Sequence, residues 1–200
     1  ELTFSTMPQS KQTVCLNMIV RNEAAIIERC LNSVVNLIDH WVIVDTGSTD
    51  GTQQLIERCL RNVPGELIER PWIDFAHNRS EALEFALGKS DYVFVIDADD
   101  VLIRDHGFEL PQLTHDAYYL KIRSGPVTFW RIQLFRNEPG WRYEGSLHEF
   151  LTRPDIYTYE RLHGLLVDSL TGGARAAQPR VYQKHVEQLL AAVEGFPDAP

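Results

Sequence analysis

Three short apolar runs and one further candidate strand, separated by segments with helical spacing, constrain this chain more than any other feature. Residues 13–20 (TVCLNMIV), 41–44 (WVIV), 66–69 (ELIE) and 92–96 (YVFVI) read as strands. Near-continuous apolar character in such runs marks strands covered on both faces, as in a parallel sheet. Residues 25–38 carry Ile27, Leu31, Val34 and Ile38 at helical spacing, with Asn22 as the expected N-cap. A second helix carries Leu55, Ile56, Cys59 and Leu60, with Thr49 or Asp50 as its expected cap. Residues 75–87 form a third, with Ala82, Phe85 and Ala86 inward and Gly88 as its stop. Strand–helix alternation of this kind predicts an α/β fold: a Rossmann-like, mostly parallel central sheet flanked by helices. The second half changes character. Residues 117–123 and 127–136 flank Ser124-Gly125-Pro126 and read as a hairpin, which adds an antiparallel portion. Residues 141–144, 148–152 and 162–167 read as further short strands, and residues 181–193 as a late helix.

Two hundred residues suffice for one domain with a substantial core. The expected divisions are an N-terminal extension over 1–12, one domain over 13–170 whose character changes near residue 100 into halves 13–100 and 101–170, and a loop and helix over 171–200. A net charge of −9 argues against a broad nucleic-acid surface. No apolar run reaches membrane-spanning length, and the first twelve residues have no secretory h-region. Cys15, Cys30 and Cys59 are odd in number, widely spaced and without a CxxC, so core thiols in a reducing, cytoplasmic setting are expected.

Open α/β sheets bind ligands beyond the carboxyl ends of their strands. Three polar clusters fall there: Arg21-Asn22-Glu23, residues 45–51 (DTGSTDG) and residues 97–100 (DADD). Asp97 and Asp99, two residues apart in an extended segment, point to one side. Paired carboxylates call for a cation, and hard oxygen ligands favour Mg2+ or Mn2+. The glycine-bearing turn after Asp45 leads into a helix whose free amides suit an anionic or polar ligand. Arg79 is placed to meet a phosphate and Asn78 a base or ribose. His148-Glu149 lacks a second His at zinc-protease spacing, so it reads as a metal ligand beside a general base.

The segments LNMIVRNEA, VIVDTGSTDGT, DFAHNRSEALEFALGKSDYVFVIDADD and LFRNEPGWRYEGSLHEF, in this order over residues 13–152, resemble the inverting glycosyltransferases of family two, with the GT-A fold. The likeness is nearest to a bacterial subgroup that often carries tetratricopeptide repeats after the catalytic domain and includes protein and peptide glycosyltransferases. The resemblance implies a nucleotide-sugar donor, a uridine one by the family pattern, and a protein, peptide or glycan acceptor. It implies that Asp45 and Thr46 hold uracil or ribose, that Ile19 and Glu23 line the base pocket, and that Asn78 and Arg79 approach the nucleotide. Asp97 would contact ribose or metal, with Ala98 beside the nucleotide sugar, and Asp99 would hold the metal on the diphosphate. The family's usual base is the last residue of a Glu-Asp pair; here His148-Glu149 stands in its place. Glu149 is then the expected base and His148 a metal or diphosphate contact, with Glu144 and Asp168 as alternatives for the base. Three rival readings stand beside this one. VFVIDADDVL also matches the nucleophile motif of haloacid-dehalogenase phosphatases, although here it follows the fourth strand and no later acidic pair completes it. A sugar nucleotidyltransferase would need a glycine-rich loop after the first strand, where Arg21-Asn22-Glu23-Ala24 stands. A non-catalytic nucleotide-sugar-binding module would keep the aspartates and dispense with the base.

Overall fold

A computed structural model describes residues 11–145 and 149–170. Residues 1–10 of the expected extension, His148, and the 171–200 segment with its expected helix lie outside the described residues. The elements run β1 (Val14–Val20), α1 (Ile27–Val34), β2 (His40–Asp45), α2 (Thr52–Leu60), β3 (Gly65–Glu69), α3 (Phe75–Ala86) and β4 (Tyr92–Val95). They continue with β5 (Asp100–Arg104), β6 (Ala117–Ser124), β7 (Val127–Arg136), β8 (Arg142–Glu144), β9 (Phe150–Thr152) and β10 (Tyr159–Ser169).

Eight strands form one mixed sheet in the order β3-β2-β1-β4-β7-β6-β10-β5, and β8 and β9 form a separate two-stranded ribbon. The first four strands of that order are parallel, as the alternation predicts. Strand β7 then enters antiparallel to β4 and pairs with β6 in the expected hairpin. Strand alternation sends Leu16, Met18 and Val20 of β1 into the core under α1 and α2, and Cys15 into the smaller core on the opposite face. Asn17 is the one polar residue of β1, and its amide donates to the carbonyl of Ala82 (2.7 Å), fixing α3 against the sheet. Asp74 caps α3 by accepting from the His77 N–H (2.7 Å).

The sheet is rolled. Only residues 96–99 separate β4 from β5, a reach of about 18 Å at full extension. In a flat sheet β7, β6 and β10 would hold these strands four spacings, about 19 Å, apart. The Asp100 N–H also bonds back to the Asp97 carbonyl (3.0 Å), which shortens the link further. The two strands therefore meet across a curl, with Ile96, Leu102, Leu120, Ile122, Leu134 and Val167 packed inside.

Several local expectations change. Asp97 to Asp99 do not continue β4 as an extended segment: Ala98 and Asp99 turn, with the Asp100 N–H bonded to the Asp97 carbonyl, and the run from Asp100 is the strand β5, which pairs antiparallel with β10. Helix α1 is shorter than residues 25–38, and its N-cap position is Ile26, without a side-chain cap. Asn22 instead adopts a left-handed conformation (φ 55°), which Asn tolerates, and accepts from the Thr49 N–H (2.8 Å). Gly51, not Thr49 or Asp50, holds the cap position of α2. Asp50 still accepts from the Thr52 N–H and hydroxyl (3.1 and 2.6 Å). No helix among the described residues is long and apolar enough to cross a membrane.

Candidate active site

The loops after β1 and β2 are stitched into one ledge. The Asn22 N–H donates to Ser48 Oγ, the Glu23 N–H to Thr52 Oγ1 and the Ala24 N–H to Asp50 Oδ2, at 2.8–3.0 Å. Register aligns Val20 with Asp45 across the parallel pair, so both loops leave the same sheet edge. Ile19, the penultimate β1 residue, is half-buried beside Val44. Asp45 is fully buried, and its Oδ1 accepts from the Gly47 and Ser48 N–H groups (both 2.7 Å). Its Oδ2 has no hydrogen-bond partner among the described residues. Thr46 is buried, and its hydroxyl donates to the Val20 carbonyl (3.1 Å).

The third cluster follows β4 on the same edge. Ala98 is buried in the core. Asp99 lends its carbonyl to Arg29 of α1 (3.1 Å), and the Asp97 carbonyl accepts from the Cys30 thiol (3.3 Å). Asp97 Oδ1 accepts from Arg79 Nη2 at 2.5 Å, and Glu149 Oε1 from Arg79 Nε at 3.2 Å. One guanidinium thus brings together three of the residues singled out from the sequence. Burial raises the Asp97 carboxyl, but Arg79, with Arg131 beyond it, holds it below the usual carboxylate range. Asp100 behaves oppositely: burial and the negative charges of Asp97 and Asp99 push it up to about 7.

That field bears on a metal. Asp97 and Asp99 offer hard oxygen donors of the kind that suit a hard divalent cation, and their charges add to burial in raising Asp100. No group of three or more His, Cys, Asp or Glu side chains arranged for a metal occurs among the described residues, and His148 lies outside them.

A cavity of about 420 Å3 opens between α3, the end of β4, β7 and the β8–β9 ribbon. Arg79, Asp97 and Glu149 sit in its wall together with Trp130, Tyr143 and Tyr157. The alternative bases are elsewhere. Glu144 pairs with Arg142 (2.5 Å), and Asp168 is gripped by Arg123 through two bonds (2.8 and 2.6 Å). Neither lines this cavity. Asn78 is fully buried with its amide spent on the preceding loop: it accepts from the Ile73 N–H (2.9 Å) and donates to the Pro71 carbonyl (3.1 Å). It shapes the loop leading into α3 rather than presenting a donor.

Arg131 and Gln133 are additions that the sequence motifs do not single out. Both line the cavity, and Arg131 Nε donates to Gln133 Oε1 (3.1 Å). Pairing slips from Tyr118↔Leu134 to Tyr119↔Ile132, so Gln133 is the bulged residue of β7. Bulges re-aim side chains beside active sites. The signal in the sequence is an Arg and a Gln alternating within TFWRIQLF, which also describes an ordinary solvent-facing strand.

Comparison with known proteins agrees with this geometry. The model of glycosyl transferase family 2 matches residues 15–159. A TPR repeat-containing protein of Synechococcus elongatus is 34% identical over 147 residues, covering 69% of this chain and 35% of that protein. The SPbeta prophage-derived glycosyltransferase SunS of Bacillus subtilis is 25% identical over 148 residues, covering 68% of this chain and 34% of SunS. The chain therefore spans about a third of the length of these relatives. Among solved structures, S. aureus TarS 1–349 in complex with UDP-GlcNAc superposes with a TM-score of 0.53 at 15% identity, covering 91% of this chain and 66% of TarS 1–349. That likeness establishes a shared GT-A architecture. The family match begins in β1 and runs to the first residue of β10, across every element that builds the ledge and the cavity, and on that ground the chain belongs to glycosyl transferase family 2.

Proposed function

We propose that this glycosyltransferase takes a UDP-sugar on the ledge formed by the β1 and β2 loops and transfers its sugar, with inversion, to an acceptor in the cavity beside Glu149. The observation that carries this reading is the Asp97–Arg79–Glu149 arrangement. It sets a donor-side aspartate and a cavity-facing carboxylate on either side of one cation. Asp45, with one carboxylate oxygen unpartnered among the described residues, is the group we assign to the uracil N3–H, with Thr46, Ile19 and Glu23 around the base. Asp97 and Ala98 approach the ribose and diphosphate; Asp99, with His148, would hold Mg2+ or Mn2+. Such an ion supplies Lewis acidity to a leaving diphosphate. Glu149 accepts the proton of the attacking acceptor hydroxyl or thiol from the face opposite the diphosphate. The reading also keeps residues 13–100 as the donor side, 101–170 as the acceptor side and the cytoplasm as the setting, the last supported by three cysteines outside any disulfide. A phosphatase reading would need Asp97 as a free nucleophile, whereas its carboxylate is paired with Arg79.

The test is UDP release from UDP-glucose and UDP-N-acetylglucosamine, with Mn2+ and then with EDTA. Metal-dependent release is expected. Binding of UDP without release from either sugar would leave a binding module, and full release in EDTA would remove the metal assignment.

A further inference from the structure

Glu149 does not belong to the main sheet. It stands immediately before β9, which pairs with β8 alone among the described residues, so the proposed base rides on a two-stranded ribbon. An isolated ribbon of three-residue strands has little stability of its own. What fixes this one against the donor edge is α3. Ser80 Oγ accepts from the Tyr143 N–H (2.9 Å), tying β8 to the helix. The preceding residue, Arg79, reaches Glu149 with Nε and Asp97 with Nη2. Its guanidinium lies 5.5 Å from the Tyr143 ring centroid and 5.9 Å from that of Phe75. The Arg79 and Glu149 side chains are each 15% exposed, so water competes weakly for this contact.

We propose that Arg79 is the positioning residue of the proposed base: it sets the place of Glu149 relative to Asp97. This rests on Glu149 being the base. The assignment goes beyond a phosphate contact for Arg79, because two of its three nitrogens are already committed to carboxylates. A planar fork packed near two rings holds two carboxylates at a fixed separation; a Lys ammonium is a point charge without that geometry. Misplacing a reacting group by about 1 Å costs on the order of 10²-fold in rate.

The experiment is a double-mutant cycle on the whole chain, with Mn2+-dependent UDP release from UDP-N-acetylglucosamine as the rate and calorimetric binding of UDP as the control. Arg79→Met should lower kcat about 10²-fold while the Kd for UDP stays within about threefold. Arg79→Lys should keep UDP affinity and recover only part of the rate. In the Glu149→Gln background, Arg79→Met should cost less than about threefold more, because a residue that acts through another loses its effect once that residue is gone. Equal costs in both backgrounds would overturn the proposal, as would a UDP Kd weakened tenfold or more by Arg79→Met, which would place the effect of Arg79 on the donor, directly or through Asp97. A Glu149→Gln enzyme as fast as wild type would instead sink the base assignment itself. Rates are compared at matched folded fraction, read by circular dichroism, so a destabilised Arg79→Met still separates these outcomes.

Discussion

Asp100 is a carboxyl at odds with its surroundings. Its folded pKa of about 7 lies above the ordinary value near 3.8, with burial the largest cause and the charges of Asp97 and Asp99 next. A raised acid pKa means that the folded state takes up its proton first as pH falls. Stability in EDTA should therefore rise as pH drops from about 7 towards 4, and the full cost of the buried charge should be felt above 7. Asp100→Asn should flatten that slope and stabilise the metal-free protein at pH 8 by about 1–3 kcal/mol; urea melts across pH 4–8 check it. The proposed base carries a second prediction. Glu149→Gln should keep UDP binding and lower turnover by about 10²–10⁴, while Glu144→Gln, whose carboxylate is held by Arg142, should leave most turnover intact. If steady-state rates reverse that order, the base is Glu144. Asp45, Asp97 and Glu149 are legible in the sequence because each stands in a distinctive local string. The tie of Arg79 to Glu149 is not, because its partners lie 70 residues apart and nothing local marks it. Gln133 is hidden for another reason: a bulge is a property of two strands, and only one of them contains the residue.

At the scale of elements, apolar runs predict β1, β2 and β4 closely because burial on both faces leaves little else for such runs to do. Strand β5 is hard to read because it opens on Asp100 and ends in Arg104, with only three apolar residues between. Its edge is covered rather than left open: the Leu102 N–H donates to Ser33 Oγ of α1 (3.0 Å). The start of β3 is a tighter fit than the sequence suggests. A Cβ on Gly65 would meet the Trp41 ring at 2.3 Å, and that buried indole is also held by its N–H to the Val63 carbonyl (2.8 Å). Gly65→Ala should thus destabilise by about 1–3 kcal/mol, seen as a lower urea midpoint with an unchanged slope. A neutral result would mean that β3 shifts outward freely at its sheet edge. Helix α1 is shorter at its C-terminal end than its apolar spacing suggests: the spacing of Ile27, Leu31 and Val34 persists to Ile38, yet the helix stops at Val34. Periodicity reports which residues face the core, not where the backbone ceases to be helical.

The whole molecule is organised around one rolled sheet, and donor binding should stabilise all of it together. UDP with Mn2+ at about 100 times its Kd should add about 2.7 kcal/mol, read as a rise in thermal midpoint, and Asp99→Asn should remove the Mn2+ increment. A midpoint unmoved by UDP would contradict the donor ledge. The order of pairing also sets when this sheet can exist. Asp97 and Asp99 lie between β4 and a strand whose only partner in the ladder is β10, the last strand of the sheet. A ribosome that has extruded residue 110 has already delivered Asp45, Arg79, Asp97 and Asp99, yet β10, the partner of β5 among the described residues, is missing until residues 159–169 emerge. At about 5–20 residues per second, those sixty or so residues keep the nascent chain waiting roughly 3–12 s. During that interval the segment carrying Asp97, Asp99 and Asp100 stands without the strand that β5 pairs with.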